Sequence, residues 1–136
     1  MREIKYQGWH KEEKKMLVVM EIDFDANACT GCYDLAHWWR RESQVSGFYD
    51  ENGEITLREF IGIKDKNCKE IYEGDFVKRQ VFAFGEPRTF IGEVKMFEGC
   101  WWIDNGTAAV PVWNELHQIE VIGNIYENPE LLEECR

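Results

Sequence analysis

Short apolar runs, each closed by glycine or small polar residues, recur along the chain and limit what it can fold into. The clearest runs cover residues 76–84, 90–97 and 100–103, with the turn residues Gly85-Glu86-Pro87-Arg88 and Glu98-Gly99 between them. Such runs are short for core helices, and their regular spacing is typical of strands in a small barrel or sandwich. The sequence therefore predicts a mainly β protein.

The first half of the chain continues this pattern. Residues 2–9 and 16–22 predict two strands joined by a polar turn. Asn52-Gly53 precedes the alternating Ile55 and Leu57, and this dipeptide is favoured by the type I′ turn of a hairpin. Between them, Cys29-Thr-Gly-Cys32 predicts a turn, and the residues after it suit a short helix.

The end of the chain predicts one more strand and a helix. Residues 120–126 have the pattern of a last strand. Asn128 then suits an N-cap, Pro129 the first helical position and Glu130 the positive end of the helix dipole, while Leu131 and Leu132 offer an apolar stripe.

Charge and cysteine content bound the class of protein. The net charge is −10, and residues 99–136 carry seven acidic residues against the single cation Arg136. Because nucleic-acid affinity comes largely from cations at phosphates, an acidic chain favours a basic protein partner over DNA or RNA. Five cysteines at irregular spacing, with no signal-peptide run, predict a bacterial cytoplasmic protein that does not enter a membrane.

Three stretches give a family resemblance. Residues 1–16 begin Met-Arg-Glu-Ile-Lys-Tyr-Gln-Gly-Trp-His, residues 61–77 contain Ile-Tyr-Glu-Gly-Asp-Phe-Val, and residues 121–132 read Val-Ile-Gly-Asn-Ile-Tyr-Glu-Asn-Pro-Glu-Leu-Leu. In order and spacing they resemble the YopX family, found mostly in phages and prophages of Gram-positive bacteria. The resemblance implies an SH3-like C-terminal β-barrel entered at Glu73-Gly74-Asp75, and it implies no activity.

The domain prediction follows from length and this resemblance. One unit over residues 1–136 is expected, with a β-hairpin and variable segment in residues 1–58 and the barrel plus a short terminal helix in residues 59–136. The chain departs from the family at Cys68, where glycine is usual. If Cys68 has a positive φ, its Cβ costs about 1 kcal/mol.

One candidate metal site has two interpretations. Cys29, Cys32 and His37 have the first three spacings of a zinc knuckle, but Glu42 stands where the fourth ligand would be cysteine. The alternative is that both cysteines pack as small apolar side chains, and short motif matches of this kind are often accidental. No cofactor is predicted.

Exposed aromatic residues are the candidate partner contacts. Trp38, Trp39, Arg40 and Arg41 combine aromatic rings and cations, which suits a protein interface or, alternatively, a nucleic-acid contact. Trp102 and Trp113 lie beside predicted barrel strands. In Trp101-Trp102, strand alternation turns one ring inward and the other outward, toward a ligand groove or beneath the C-terminal helix.

The combined expectation is a phage or prophage accessory protein that acts without catalysis. It would be a protein-interaction module with a basic host or phage partner, and it would self-associate into a homo-oligomer. A nucleic-acid accessory role through the barrel and residues 38–41 is the alternative. No catalytic residue is predicted, because the sequence shows no nucleophile elbow or phosphate-binding loop.

Overall fold

The computed structural model describes residues 5–34, 36, 44–83, 85–112 and 119–131. The chain divides into two compact units, Met1–Glu59 and Phe60–Arg136. The described residues form strands β1 (Tyr6–His10), β2 (Lys15–Asp23), β3 (Ala28–Cys32), β4 (Gln44–Phe48), β5 (Ile55–Lys64), β6 (Glu70–Tyr72), β7 (Asp75–Ala83), β8 (Glu86–Phe97), β9 (Cys100–Asp104), β10 (Ala109–Pro111) and β11 (Ile119–Asn124). Across these described ranges, no helix is long and apolar enough to cross a membrane.

The first unit is an antiparallel sheet in the order β4-β3-β2-β1-β5. One face carries its core, where Leu17, Cys29 and Ile55 are buried and Val19 and Leu57 pack against them. Leu17 and Val19 alternate along β2 with the exposed Val18 and Met20, so strand alternation directs Leu17 and Val19 to the core face.

Of the two turns predicted in this unit, the one at residues 29–32 is absent and the one at Asn52-Gly53 is not the predicted type I′ hairpin turn. Cys29-Thr-Gly-Cys32 lies inside β3, which pairs with both β2 and β4. At residues 50–53 the Gly53 N–H donates to the Asp50 carbonyl at 2.9 Å, and neither Asn52 nor Gly53 has a positive φ. Gly53 is therefore the last residue of a turn that begins at Asp50, whose Oδ1 also accepts the Asn52 N–H. The following β5 pairs with β1 and not with β4.

The second unit contains a five-stranded antiparallel sheet in the order β10-β9-β8-β7-β11, and residues 60–64 of β5 pair with β6. Its core buries Ile61, Ile71, Val77, Val94 and Trp101, among others. As predicted, Glu73-Gly74-Asp75 leads into the first long strand, with a positive φ at Gly74.

Asp65 organises the turn between β5 and β6. Its Oδ1 accepts the N–H groups of Asn67 at 2.8 Å and Lys69 at 2.9 Å, and its Oδ2 accepts the Val121 N–H of β11 at 3.0 Å. Asp65 is buried. One carboxylate therefore shapes the turn and joins it to the edge of the sheet.

Cys68 has a φ of 65° in this turn, which lies in the left-handed region that favours the glycine usual in the family. We expect Cys68→Gly to leave the free energy of unfolding unchanged or to raise it by up to about 1 kcal/mol, because the strained Cβ is removed while chain entropy partly offsets the gain. Urea denaturation measures this. Cys100→Gly is the control, since Cys100 is also exposed but lies in β9, where glycine costs about 0.5–1 kcal/mol. A clear stability loss in Cys68→Gly would contradict the explanation.

The observed sheets do not confirm the predicted SH3-like barrel or the predicted terminal helix. In the described residues β10 and β11 form the two ends of the sheet order and do not pair with each other. Asn128 Oδ1 accepts the N–H of the preceding Asn124 at 3.3 Å, and the Leu131 N–H donates to the Asn128 carbonyl at 3.0 Å. Residues 132–136 lie outside the described part, so the helix stays a prediction.

Candidate contact surface

The hairpin of β8 and β9 presents the most distinct aromatic surface of the second unit. Its two-residue turn has φ values of 53° at Glu98 and 78° at Gly99, which is the pattern of a type I′ turn. The turn fixes the register, so Phe97 lies opposite Cys100 and Lys95 lies opposite Trp102. One face of the hairpin therefore carries Phe97, Lys95 and Trp102.

The alternation predicted for Trp101-Trp102 is confirmed. Trp101 is buried in the core beside Val94 and Ile103, whereas Trp102 is half-buried on the other face of β9. The carbonyl of Trp101 also accepts the Val112 N–H at 3.2 Å, which holds the neighbouring segment against the hairpin. The outward ring is thus positioned by an anchored strand.

Trp102 stacks on Phe97. Their ring centroids are 5.0 Å apart with an interplanar angle of 7°, and the indole Nε1–H donates to the Phe97 carbonyl at 3.2 Å. The two residues are diagonal neighbours across the strands, a distance that aromatic side chains can span. The partner of the outward ring is therefore Phe97, which remains 40% exposed.

A charged group borders this stack on the same face. Lys95 Nζ lies 3.8 Å from Glu93 Oε1 and 3.7 Å from Asp104 Oδ2. Burial raises the pKa of Glu93 above its ordinary value, Lys95 opposes this, and the charges of Asp104 and Glu73 add to the rise. Lys95 thus neutralises part of the charge of these carboxylates, and the charged groups beside the stack have a net negative charge.

The two cysteines of the predicted zinc site do not face each other. Cys29 and Cys32 are three residues apart in β3, so strand alternation directs them to opposite faces, and Cys29 belongs to the core. Burial raises the pKa of both thiols, with Asp34 adding to the rise at Cys32, which disfavours the thiolate that zinc requires. Among the described residues, no group of three or more His, Cys, Asp or Glu is placed to hold a metal.

Several predicted contact residues lie outside the described part of the chain. They are His37, the third proposed zinc ligand, and the proposed partner contacts Trp38, Trp39, Arg40, Arg41 and Trp113. Their roles stay predictions. Of the predicted contact residues, the structure therefore places Trp102.

Sequence reasoning missed Phe97 as part of the surface. The signal was present, because Glu98-Gly99 predicts a two-residue turn that pairs Phe97 with Cys100 and brings it diagonal to Trp102. Reading this register from the sequence would have identified both rings. The Lys95, Glu93 and Asp104 group could not be found that way, because it depends on side-chain conformations.

Comparisons with known proteins agree with the fold. The crystal structure of protein EF1440 from Enterococcus faecalis is similar, with 25% sequence identity, a TM-score of 0.64 and coverage of 97% of this chain and 99% of that one. The X-ray structure of yopX from Bacillus subtilis is similar in fold, with 24% identity, a TM-score of 0.60 and 97% coverage of each chain. A search of curated proteins found no match.

The family comparison covers nearly the whole chain. The model for the YopX protein matches residues 5–133, which include both units. This chain belongs to the YopX family.

Proposed function

We propose that this protein is a phage or prophage accessory protein that acts as a non-enzymatic protein-interaction module. The observation that supports the proposal is the exposed stack of Phe97 on Trp102 at the β8–β9 hairpin. Solvent exposure of a stacked aromatic pair on a rigid hairpin is a common property of interface anchors. In this proposal a partner protein covers the two rings.

The partner is proposed to be a basic host or phage protein. The chain carries a net charge of −10, and Glu93 and Asp104 outnumber the lysine beside the stack. Complementary charge speeds encounter and selects among partners, while buried aromatic area supplies most of the affinity. An aromatic anchor with an acidic border therefore suits a partner with a cationic border around an apolar pocket.

The remaining parts of the proposal concern assembly and location. Residues 59–136 would form an SH3-like barrel completed by a short C-terminal helix, and the protein would self-associate in the bacterial cytoplasm. The cysteines among the described residues are free thiols, and Cys68 and Cys100 are exposed, which suits a reducing compartment. His10 supports a role without catalysis, because its Nδ1 accepts the Glu13 N–H in the turn after β1 and thus serves that turn.

Affinity capture from host-cell lysate tests the proposal, with Trp102→Ala as the variant. Met96→Ala is the matched control, because Met96 is 41% exposed beside the 40% exposed Phe97, but strand alternation directs it to the other face. We expect a nuclease-resistant basic partner to be retained by the wild type and the control. The Trp102 variant should lose it, with an affinity about tenfold lower or more.

Other results would redirect the proposal. Capture that disappears after nuclease treatment would favour the nucleic-acid alternative and move attention to residues 38–41. If Trp102→Ala captured the partner as well as wild type does, the surface of Phe97 and Trp102 would not be the binding site. Light scattering on the same three proteins tests self-association, which a monomeric wild type would exclude.

A further inference from the structure

The first unit has an acidic end with two exposed phenylalanines, which we call the acidic-aromatic end. It comprises Phe24 and Phe48 with Asp23, Asp25, Asp50 and Glu51. Phe24 is 71% exposed and Phe48 is 53% exposed, the two highest values among the exposed large apolar side chains of the described residues. Such exposure of aromatic rings is unfavourable in water, so these two rings need an explanation.

Backbone pairing brings the two rings to the same end of the sheet. Ala28 of β3 lies opposite Asp23 of β2 on one side and Phe48 of β4 on the other. Asp23 and Phe48 thus flank one residue on a common face, two strand spacings or about 10 Å apart. Phe24 follows Asp23 directly, so both rings border the turn that joins β2 to β3.

The turns that carry these residues are held by hydrogen bonds. Asp23 Oδ1 accepts the N–H groups of Asp25 at 3.0 Å and Ala26 at 3.1 Å. The Tyr49 N–H donates to the Asn27 carbonyl at 2.8 Å, which places the turn at residues 50–53 beside the turn at residues 24–27. The phenylalanines are therefore presented on fixed backbone.

The exposed charged side chains at positions 23–27 and 50–53 are all negative. Asp23, Asp25, Asp50 and Glu51 are all exposed, and residues 16–34 and 44–57 contain no lysine or arginine. The carboxylate of the neighbouring Glu54 accepts backbone hydrogen bonds from Phe48 and from its own N–H, which lower its pKa. Burial opposes this shift, and the charges of His10 and Lys11 add to it. We leave Glu54 out of the acidic-aromatic end for that reason.

We propose that the acidic-aromatic end binds a lysine- or arginine-rich protein segment that carries an apolar side chain. Its cations would face the four carboxylates, and its apolar side chain would cover Phe24 and Phe48. A second copy of this chain suits the surface poorly, because a symmetric contact would bring the same carboxylates together. This surface is separate from Phe97 and Trp102, so the inference goes beyond the proposed function.

Fluorescence anisotropy tests the inference with a labelled short peptide of lysines interspersed with leucines. Asp25→Asn with Glu51→Gln removes two charges while Asp23 and Asp50 keep their turn hydrogen bonds. We expect this double variant to bind about fivefold more weakly. The double variant Phe24→Ala with Phe48→Ala should bind the peptide about tenfold more weakly than wild type. A control peptide with serine in place of leucine should bind this variant and wild type with equal affinity.

Glu86→Gln with Glu98→Gln is the matched control, because it removes two exposed charges from the second unit. The control should bind the peptide as wild type does. The inference is overturned if the control weakens binding as much as Asp25→Asn with Glu51→Gln, if the phenylalanine variant binds normally, or if wild type does not bind. The inference would also be overturned if the protein formed a dimer that Phe24→Ala disrupts, because the acidic-aromatic end would then bind a second copy of this chain.

Discussion

Gly53→Ala is expected to produce the largest loss of stability among single substitutions considered for this protein. A Cβ at residue 53 would lie 2.1 Å from the backbone oxygen of Phe48 and 2.5 Å from its carbonyl carbon. That backbone cannot easily move, since the Phe48 N–H donates to Glu54 Oε2 at 2.8 Å and the next residue is bonded to Asn27. We expect the free energy of unfolding to fall by about 3 kcal/mol or more.

Gly99→Ala separates steric crowding from backbone conformation. Gly99 has a φ of 78° but open space around its Cβ position, whereas Gly53 has no positive φ and no space. We expect Gly99→Ala to cost about 1 kcal/mol through its left-handed conformation. Thermal and urea unfolding measure both variants. Similar losses in the two would mean that the approach of Phe48 to Gly53 is not the cause.

Asp65→Ala is expected to have the second largest effect. It leaves the N–H groups of Asn67, Lys69 and Val121 without their acceptor at a site that is only 7% exposed. Because hydrogen bonds to a charged group are strong and their loss at buried donors is costly, we expect a loss of roughly 3 kcal/mol. Asp23→Ala is the control, since it also removes two backbone hydrogen bonds but at an exposed turn where water replaces them.

The pH dependence of the protein's stability provides a second test of the role of Asp65. Burial raises the pKa of the Asp65 carboxyl. The hydrogen bonds from the N–H groups of Val121, Lys69 and Asn67, together with the charge of Lys69, lower it by more than burial raises it. The pKa of Asp65 therefore lies below its ordinary value of 3.8. A lowered folded-state pKa adds stability above the unfolded-state pKa, and this stability is lost as the pH falls through the folded-state pKa. The difference in melting temperature between wild type and Asp65→Asn should therefore shrink below about pH 4. A difference that stays constant into acid would contradict the assigned role of the carboxylate.

Sequence patterns predicted the long strands because each of them buries one face. β2, β7 and β9 begin and end near the predicted residues, and the corner at Glu98-Gly99 has the positive φ values that its residue types favour. The positive φ of Cys68 agrees with the glycine that is usual at that position in the family. Local preference and tertiary structure agree at these places. The corner predicted at residues 85–88 is wrong in extent, because β8 begins at Glu86 and residues 86–88 pair with β7.

The sequence misled where tertiary pairing outweighed local preference. Cys29-Thr-Gly-Cys32 has the composition of a turn, yet β2 and β4 supply ladder partners on both sides and hold it extended. Asn52-Gly53 is a strong hairpin signal, but the chain after it pairs with β1, so its glycine is needed for space beside Phe48. The acidic-aromatic end could not be assigned without the strand order and register, whereas the register that brings Phe97 diagonal to Trp102 was readable from the Glu98-Gly99 turn.

The pairing of β1 with both β2 and β5 has a consequence during synthesis. Tyr6 to His10 leave the ribosome before their second partner, residues 55–59, which follows about fifty residues later. Until then the nascent sheet can form in the order of its first four strands, with one side of β1 open. An open strand edge can recruit other chains, so prompt arrival of β5 protects the growing polypeptide from aggregation.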